Sequence, residues 1–455
     1  MYPLNNFDVT MSLPHNKTAM ILNTFCLIEN QKIEDLSLYI KNNILKNIEY
    51  SIPHSCKIVD GFFKNENPYF IFDKNFNINN HVFTYDSNKI NFLEDFVQSI
   101  YNKEIDMTKP LWEVHIINNY DKNGNTAIIR RFHHSAIEGE LNAKMMNIIF
   151  DEFIPFTKKV KKHKINAFNC SLSIIKRYLL MIYFFCKGFL IKSNKVKNND
   201  LSEIVFRIKN LDEQKDQKIY DSKIIPYKNI YNIINNSKYS LLDVCIYLFS
   251  KSYSTWANLN DINIDRTVNI IIPMSTESKN KRMYGNNVMG AFVNIHLNEK
   301  DDLVRLEKIS NSIKNAIGIK KTSPFSYYAS GIQNYPKKNG ILKAFNLMYK
   351  TSWNNRKKIP IKKDKSTQYS ASVSVKKILK SNNDYTLSGN RVIQVNTFPP
   401  IIKSKYTLGI NAMFRVDKED LICSVTAFKN VFPDPKLFIN IIEKELSNIK
   451  YVISL

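Results

Sequence analysis

Apolar residues in this chain recur with two different spacings, and each predicts its own kind of element. Trp112, Val114 and Ile116 alternate with Glu113, His115 and Ile117, the two-residue period of a strand. Asn123-Gly124 supplies a tight turn, because both residues tolerate positive φ, and Thr126 to Phe132 is expected to return as the second strand of a hairpin. Further strands are expected over Ala19 to Glu29, Tyr69 to Asp73, His81 to Tyr85, Thr267 to Ile272, Val288 to Leu297, Arg391 to Phe398, Tyr406 to Val416 and Leu421 to Phe428. The other spacing is helical. Leu36, Ile40, Ile44 and Ile48 put one apolar face on a helix from Ile33 to Ile48, and Leu93, Val97 and Ile100 mark the next. Leu141, Met145, Ile148 and Ile149 predict a helix running to about Ile154. Leu241, Val244, Cys245 and Leu248 predict one over Ser240 to Trp256, and Leu306 to Ile317 and Phe438 to Ile449 carry the same pattern. Strands and helices alternate irregularly, with no run of βαβ units and no internal repeat, so the class read from the pattern is α+β.

The chain has 455 residues, enough to bury a sizeable core and to form two domains. At 44% hydrophobic and 12% aromatic it is not a disordered chain. The division expected is 1–155, a basic and apolar linker over 156–225, and 226–455. Within the linker, Lys158 to Lys164 is mostly lysine, and Tyr178 to Cys186 is the most apolar run in the chain. A spanning helix needs about 20 mostly apolar residues, and Lys176, Arg177 and Lys187 interrupt any such window. Residues 174–191 suit either a helix at a headgroup boundary or an interdomain helix packed on protein.

Formal charge is +24, with pI near 9.5. That balance attracts anions, among them phospholipid headgroups and nucleotide phosphates. No nucleic-acid module is present, and the charge is spread along the chain. The six cysteines form no Cys-x-x-Cys pair, and they are read as reduced in a chain facing the cytosol. No apolar stretch follows a basic start, so no signal peptide is expected.

Chemistry concentrates at Phe132-His133-His134-Ser135-Ala136-Ile137-Glu138-Gly139. Adjacent residues at a strand end point to opposite sides, so only one imidazole can face a given cleft. An imidazole can take a proton from a hydroxyl and return it within one reaction. From the two letters alone, a pair of ordinary polar residues at a surface turn is the favoured reading. Phosphate-loop, dinucleotide and Gly-x-Ser-x-Gly motifs are absent from the sequence. The eight histidines have no ligand spacing, so no metal is expected.

His133-His134-x-x-x-Glu138-Gly139 resembles the His-His-x-x-x-Asp-Gly motif of the coenzyme-A-dependent acyltransferases, with Glu in place of Asp. Pro3-Leu4 with Phe7-Asp8, Pro110-Leu111-Trp112-Glu113, Ile272-Pro273-Met274-Ser275, Gly285-Asn286, Leu408-Gly409-Ile410-Asn411 and Val431-Phe432-Pro433-Asp434 follow in order. Together they resemble the bifunctional wax ester synthase and acyl-CoA:diacylglycerol acyltransferase family across nearly the whole chain.

The resemblance implies two chloramphenicol-acetyltransferase-like domains with a tunnel between them, opening on the histidine motif from both faces. It implies transfer of a fatty acyl group from acyl-CoA to a long-chain alcohol or diacylglycerol, with His134 as general base and His133 in support. Acyl-CoA is then a substrate, and no permanently bound cofactor is expected. Glu138 and Gly139 would shape the loop, with Trp112, Asn286 and Asn411 as motif or structural positions. A peripheral place on endoplasmic reticulum, plasma membrane or lipid droplet is expected. Three departures point to the alternative of a weakened or inactive member that only binds acyl-CoA or lipid. They are Glu138, Glu277 where the family often has Arg, and Ser370 to Lys376 where it has Ser-Asn and Val-Pro-Gly. Peptide-synthesis condensation domains share the histidine motif, but they sit beside carrier domains for which this chain has no room.

Overall fold

The computed structural model describes residues 2–4, 20–29, 35–60, 68–137, 147–151, 217–262, 264, 268–275, 288–318, 371–377, 385–401, 407–416 and 419–453. In the first half these form β1 (Tyr2–Pro3), β2 (Ile21–Ile28), α1 (Leu36–Asn47), α2 (Ile52–Ser55), β3 (Cys56–Val59), β4 (Tyr69–Phe72), β5 (Val82–Asp86), α3 (Leu93–Asn102), β6 (Trp112–Asn118) and β7 (Thr126–His133). The second half adds β8 (Lys218–Pro226), α4 (Lys228–Asn235), α5 (Leu241–Leu259), β9 (Asn269–Ser275), β10 (Val288–Asn294) and α6 (Asp302–Gly318). It closes with β11 (Ala371–Lys377), β12 (Thr386–Leu387), β13 (Asn390–Phe398), β14 (Ile410–Val416), β15 (Asp420–Phe428) and α7 (Pro435–Ile453).

Two mixed sheets organise the molecule, in the orders β12-β13-β2-β7-β6-β5 and β10-β9-β11-β14-β15-β8, with β1-β4-β3 as a small third sheet. The class is α+β, as the pattern predicts. In the first sheet the alternation of β6 and β7 decides which side each residue enters. Trp112, Val114, Ile116, Ile128 and Phe132 join Leu36, Ile40 and Ile44 of α1 in one core layer. Ile117, Ala127 and Ile129 join Val97, Ile100 and Tyr101 of α3 in another, which Tyr220 and Phe398 complete from the second half. The cross-strand pairs Trp112↔Phe132 and Glu113↔Arg131 set the register.

Local signals explain the helix starts. Asp35 accepts a hydrogen bond from the Leu38 N–H at 2.9 Å, capping α1. At α5, Ser240 and Asp243 form a capping box. The acid after Leu242 therefore starts a helix. At Gly409, φ is +80° and a Cβ would stand 2.5 Å from Val431 Cγ1. Only glycine lets the Leu408–Asn411 segment approach the Val431–Asp434 segment this closely.

The structure corrects three expectations. The hairpin between β6 and β7 is not closed by a two-residue turn. Asn119 and Gly124 both have positive φ, and Asp121 Oδ1 accepts from the N–H groups of Asn123 and Asn125 at 3.0 and 3.1 Å, organising a longer loop. The expected linker ends too late, because Lys218–Pro226 is the edge strand of the second sheet. An edge strand meets its core on one face only, so its polar residues resemble a linker. The unit 226–455 is also not continuous, since β12 and β13 belong to the first sheet. Asp151 fixes that crossover by accepting from Tyr39 Oη (2.7 Å), Thr386 Oγ1 (2.9 Å), Ser388 N (2.7 Å) and Gly389 N (2.9 Å). A further strand, β11, lies where the motif comparison around Ser372 and Ser374 gave no element; its Ala371 and Val373 are buried.

Side chains of α3 cover the edge of β8. Gln98 donates to the Tyr220 carbonyl at 2.9 Å and accepts from the Tyr220 N–H at 3.1 Å. Asn102, one turn on, repeats the arrangement with Lys218 at 2.9 and 3.0 Å. The two amides thus stand in for a neighbouring strand and tie the two sheets together.

Candidate active site

β7 ends at the two histidines, and backbone bonds on both sides hold that end. The His133 N–H donates to Leu111 O at 3.0 Å and the His134 N–H to Met20 O at 2.6 Å, while Ala136 N–H donates back to His133 O at 3.0 Å. The imidazoles separate as strand alternation requires. His133 is fully buried, with Nδ1 2.8 Å from Ser135 Oγ and accepting the Ser135 N–H at 3.3 Å. An accepting Nδ1 carries no proton, which places the ring proton on Nε2. His134 is half-buried, the less buried residue of the pair, with its Nδ1 buried.

Beneath them lies a stack of rings. Trp112 Nε1 donates to His54 O at 3.0 Å, and the Trp112 ring is 4.5 Å from His81 and 5.0 Å from His54. His81 Nδ1 is 2.9 Å from the Trp112 carbonyl. Burial pushes both imidazoles below their ordinary pKa, His54 well below it with the Arg130 charge adding to the effect. Both rings are therefore neutral packing elements at pH 7.

Two neighbouring arginines, neither anticipated from the sequence, sit in β7 just ahead of the histidines. Arg131 donates to the Glu113 carboxylate and to the Lys103 carbonyl. Glu113 Oε2 is also 3.1 Å from His115 Nε2, and His115 Nδ1 is 3.2 Å from Tyr85 Oη. Burial raises the Glu113 carboxyl, but the His115 hydrogen bond and the Arg131 charge more than reverse this and hold it below the usual range. His115 is pushed down by burial and only partly restored by Glu113. The cluster is therefore an ionised Glu–Arg pair with a neutral imidazole. Arg130, on the opposite face, has Nε and both terminal nitrogens buried without a hydrogen-bond partner among the described residues. Its guanidinium lies 5.2 Å from the Phe132 ring, and burial lowers its pKa to about 10. The signal for both was present in the sequence, since Arg130-Arg131 interrupts a strand whose neighbours on either face are apolar.

Asn411 braces the second sheet. Its Oδ1 accepts from the Ser372 N–H and its Nδ2 donates to Pro400 O, both at 2.7 Å. Glu138, Gly139, Asn286 and Glu277 lie outside the described residues, as does 174–191. Among the described residues, no group of His, Cys, Asp and Glu could hold a metal ion, and no helix is long and apolar enough to cross a membrane.

Residues 40–166, which contain both histidines, match a family described as the wax ester synthase/diacylglycerol acyltransferase catalytic domain. A 96-residue stretch is 30% identical to wax ester synthase/diacylglycerol acyltransferase 3 of Arabidopsis thaliana, and this match spans 20% of either chain. The fold is similar along its full length to the wax ester synthase/diacylglycerol acyltransferase from Marinobacter aquaeolei VT8, with TM-score 0.63, 13% identity and all of both chains covered. It is similar also to the condensation domain of the monacolin K polyketide synthase, with TM-score 0.62, 10% identity, and 100% of this chain and 98% of that chain covered.

Proposed function

We propose that this chain, which matches the wax ester synthase/diacylglycerol acyltransferase catalytic domain over residues 40–166, transfers a fatty acyl group from acyl-CoA to the hydroxyl of a long-chain alcohol or diacylglycerol. The observation that carries this reading is the division of labour in the histidine pair, with His133 sealed against Ser135 and His134 half-buried at the strand end. His134 accepts the hydroxyl proton as the alcohol oxygen attacks the thioester carbonyl carbon. The carbon–sulfur bond breaks, the ester forms, and the imidazolium returns its proton to the departing thiolate of coenzyme A. No acyl-enzyme is needed. A direct displacement gains most from holding both substrates in line, which is a task for walls rather than for further catalytic groups. The basic character of the chain, +24 overall, favours approach of the anionic thioester and of an anionic lipid surface.

The test is ester formation from radiolabelled acyl-CoA with hexadecanol or a diacylglycerol. His134→Ala is expected to lower the rate by about 100-fold to 10,000-fold, the usual contribution of one general base, with the melting transition retained. Undiminished product from a folded His134→Ala protein would end the proposal. Tight acyl-CoA binding with no product from any acceptor would instead identify a binding protein that kept the fold.

A further inference from the structure

A cavity of ≈ 510 Å³ lies on the Arg131 side of the first sheet, and neither His133 nor His134 lines it. Tyr85 of the edge strand β5, Phe96, Ser99 and Lys103 at α3, His115 of β6, and Gln217 just ahead of β8 form its walls. It therefore sits at the seam where Gln98 and Asn102 tie the two sheets. Its size falls in the range of small-molecule sites, roughly 300–1,000 Å³.

We propose that this seam cavity binds a small amphiphile with an aromatic or short apolar body and one anionic group, a carboxylate or a phosphate, seated on Lys103. The sign of the charge follows from which groups are already engaged. No acidic residue lines the cavity. Behind its floor, the Glu113 carboxylate is taken up by Arg131 and His115. Among the described residues the Lys103 ammonium makes no hydrogen bond: it lies 5.5 Å from the Phe83 ring and acts on the Glu113 carboxylate only through its charge, so its three N–H donors remain for a ligand. The body of the ligand meets Phe96 and Tyr85, whose rings stand 4.9 Å apart and edge to face, together with Ile100.

Binding, not a second chemistry, is the use that fits. Tyr85 and His115 resemble a hydroxyl with its base. Burial, however, raises the phenol above its ordinary pKa, opposite to what an activated nucleophile needs. The Tyr85 proton points at His115 Nδ1, because Nε2 donates to Glu113. The phenol oxygen accordingly offers the cavity only lone pairs. A ligand held here touches β5 and β6 of the first sheet, α3, and Gln217 just ahead of β8, and would add to the cohesion of that seam.

The experiment is calorimetric titration of the full chain with 2-naphthoate, 2-naphthyl phosphate and the neutral 2-naphthamide. At least one anion is expected to bind about tenfold or more tightly than the amide, the contribution of one charge-assisted hydrogen bond. Lys103→Met, a change at an exposed residue, is expected to erase that preference, and Ser99→Trp to block all three by filling the space. His134→Ala is expected to leave the titration unchanged, which separates this site from the acyl-transfer site. Which anion binds more tightly identifies the source as a free carboxylate or a phosphate headgroup. Equal binding of acid and amide, no binding of either anion, or an anion preference that survives Lys103→Met would overturn the proposal.

Discussion

Arg130 and Arg131 are consecutive, equally buried, and on the same strand, yet their surroundings are opposite. Arg131 enters the α3 side, where a carboxylate and a carbonyl accept its donors. Arg130 enters the α1 side, among Cys26, His54 and Phe132, and its three nitrogens find no acceptor among the described residues. A buried charge is tolerable only as its neighbours make it so, because the cost of leaving water is large and only hydrogen-bonded, oppositely charged groups offset it. The two faces of one strand thus carry different risks. One holds an ion pair whose terminal nitrogens are engaged although Arg131 Nε is not, and it is dangerous to break; the other holds a cation that is costly to keep.

The largest effect is expected from breaking the ion pair. Arg131→Met leaves the Glu113 carboxylate buried with a hydrogen bond to His115 and only the exposed Lys103 charge nearby, and should destabilise the protein by about 3–5 kcal/mol, read as a shift in the urea midpoint. Adding Glu113→Leu should recover most of that loss, since a buried pair replaced by apolar groups is often neutral. If the single change costs nothing, the contrast between the faces is false.

Arg130→Met should act in the opposite direction. With no partner to strand, removing the charge is expected to stabilise the chain, by up to about 1–4 kcal/mol. A strong destabilisation would mean that the guanidinium has an anionic partner in solution, and the comparison would fail from that side.

A smaller, pH-dependent effect sharpens the contrast. His54 lies on the Arg130 face and His115 on the Arg131 face, and both have folded pKa values below the ordinary 6.5. A histidine kept neutral by folding contributes stability that is complete above its unfolded pKa and is lost as pH falls through the folded one. Stability should therefore decline from about pH 6.5 downward, and Glu113, also depressed, should extend the decline below its unfolded value of about 4.3. Because the Arg130 charge adds to the depression of His54, Arg130→Met should make the first decline shallower and leave the second as it was. Identical midpoint-against-pH curves for the two proteins would remove Arg130 from the account.

Much of this arrangement was legible from periodicity. The alternation through Trp112–Ile117 assigned each side chain of β6 to its face, and the four-residue spacing of Leu36, Ile40 and Ile44 gave α1 its buried stripe. The paired histidines located the chemistry, and strand geometry alone required that one ring turn inward. The motif acid at Glu138 and the asparagine at 286 were equally visible as letters, and they lie outside the described residues.

A repeat of two or of 3.6 residues reports which way a side chain points, and that much the chain settled unaided. What stands opposite was settled only by folding, because strand partners are chosen over distances that no local pattern records. Thr397 pairs with Thr24, so a hairpin near the C-terminus completes the first sheet. Lys218 and Tyr220 become an edge strand because Gln98 and Asn102 reach it from α3. Two adjacent arginines look alike in the sequence, and the difference between them arises because Glu113 lies across from one and, among the described residues, no acceptor reaches the other.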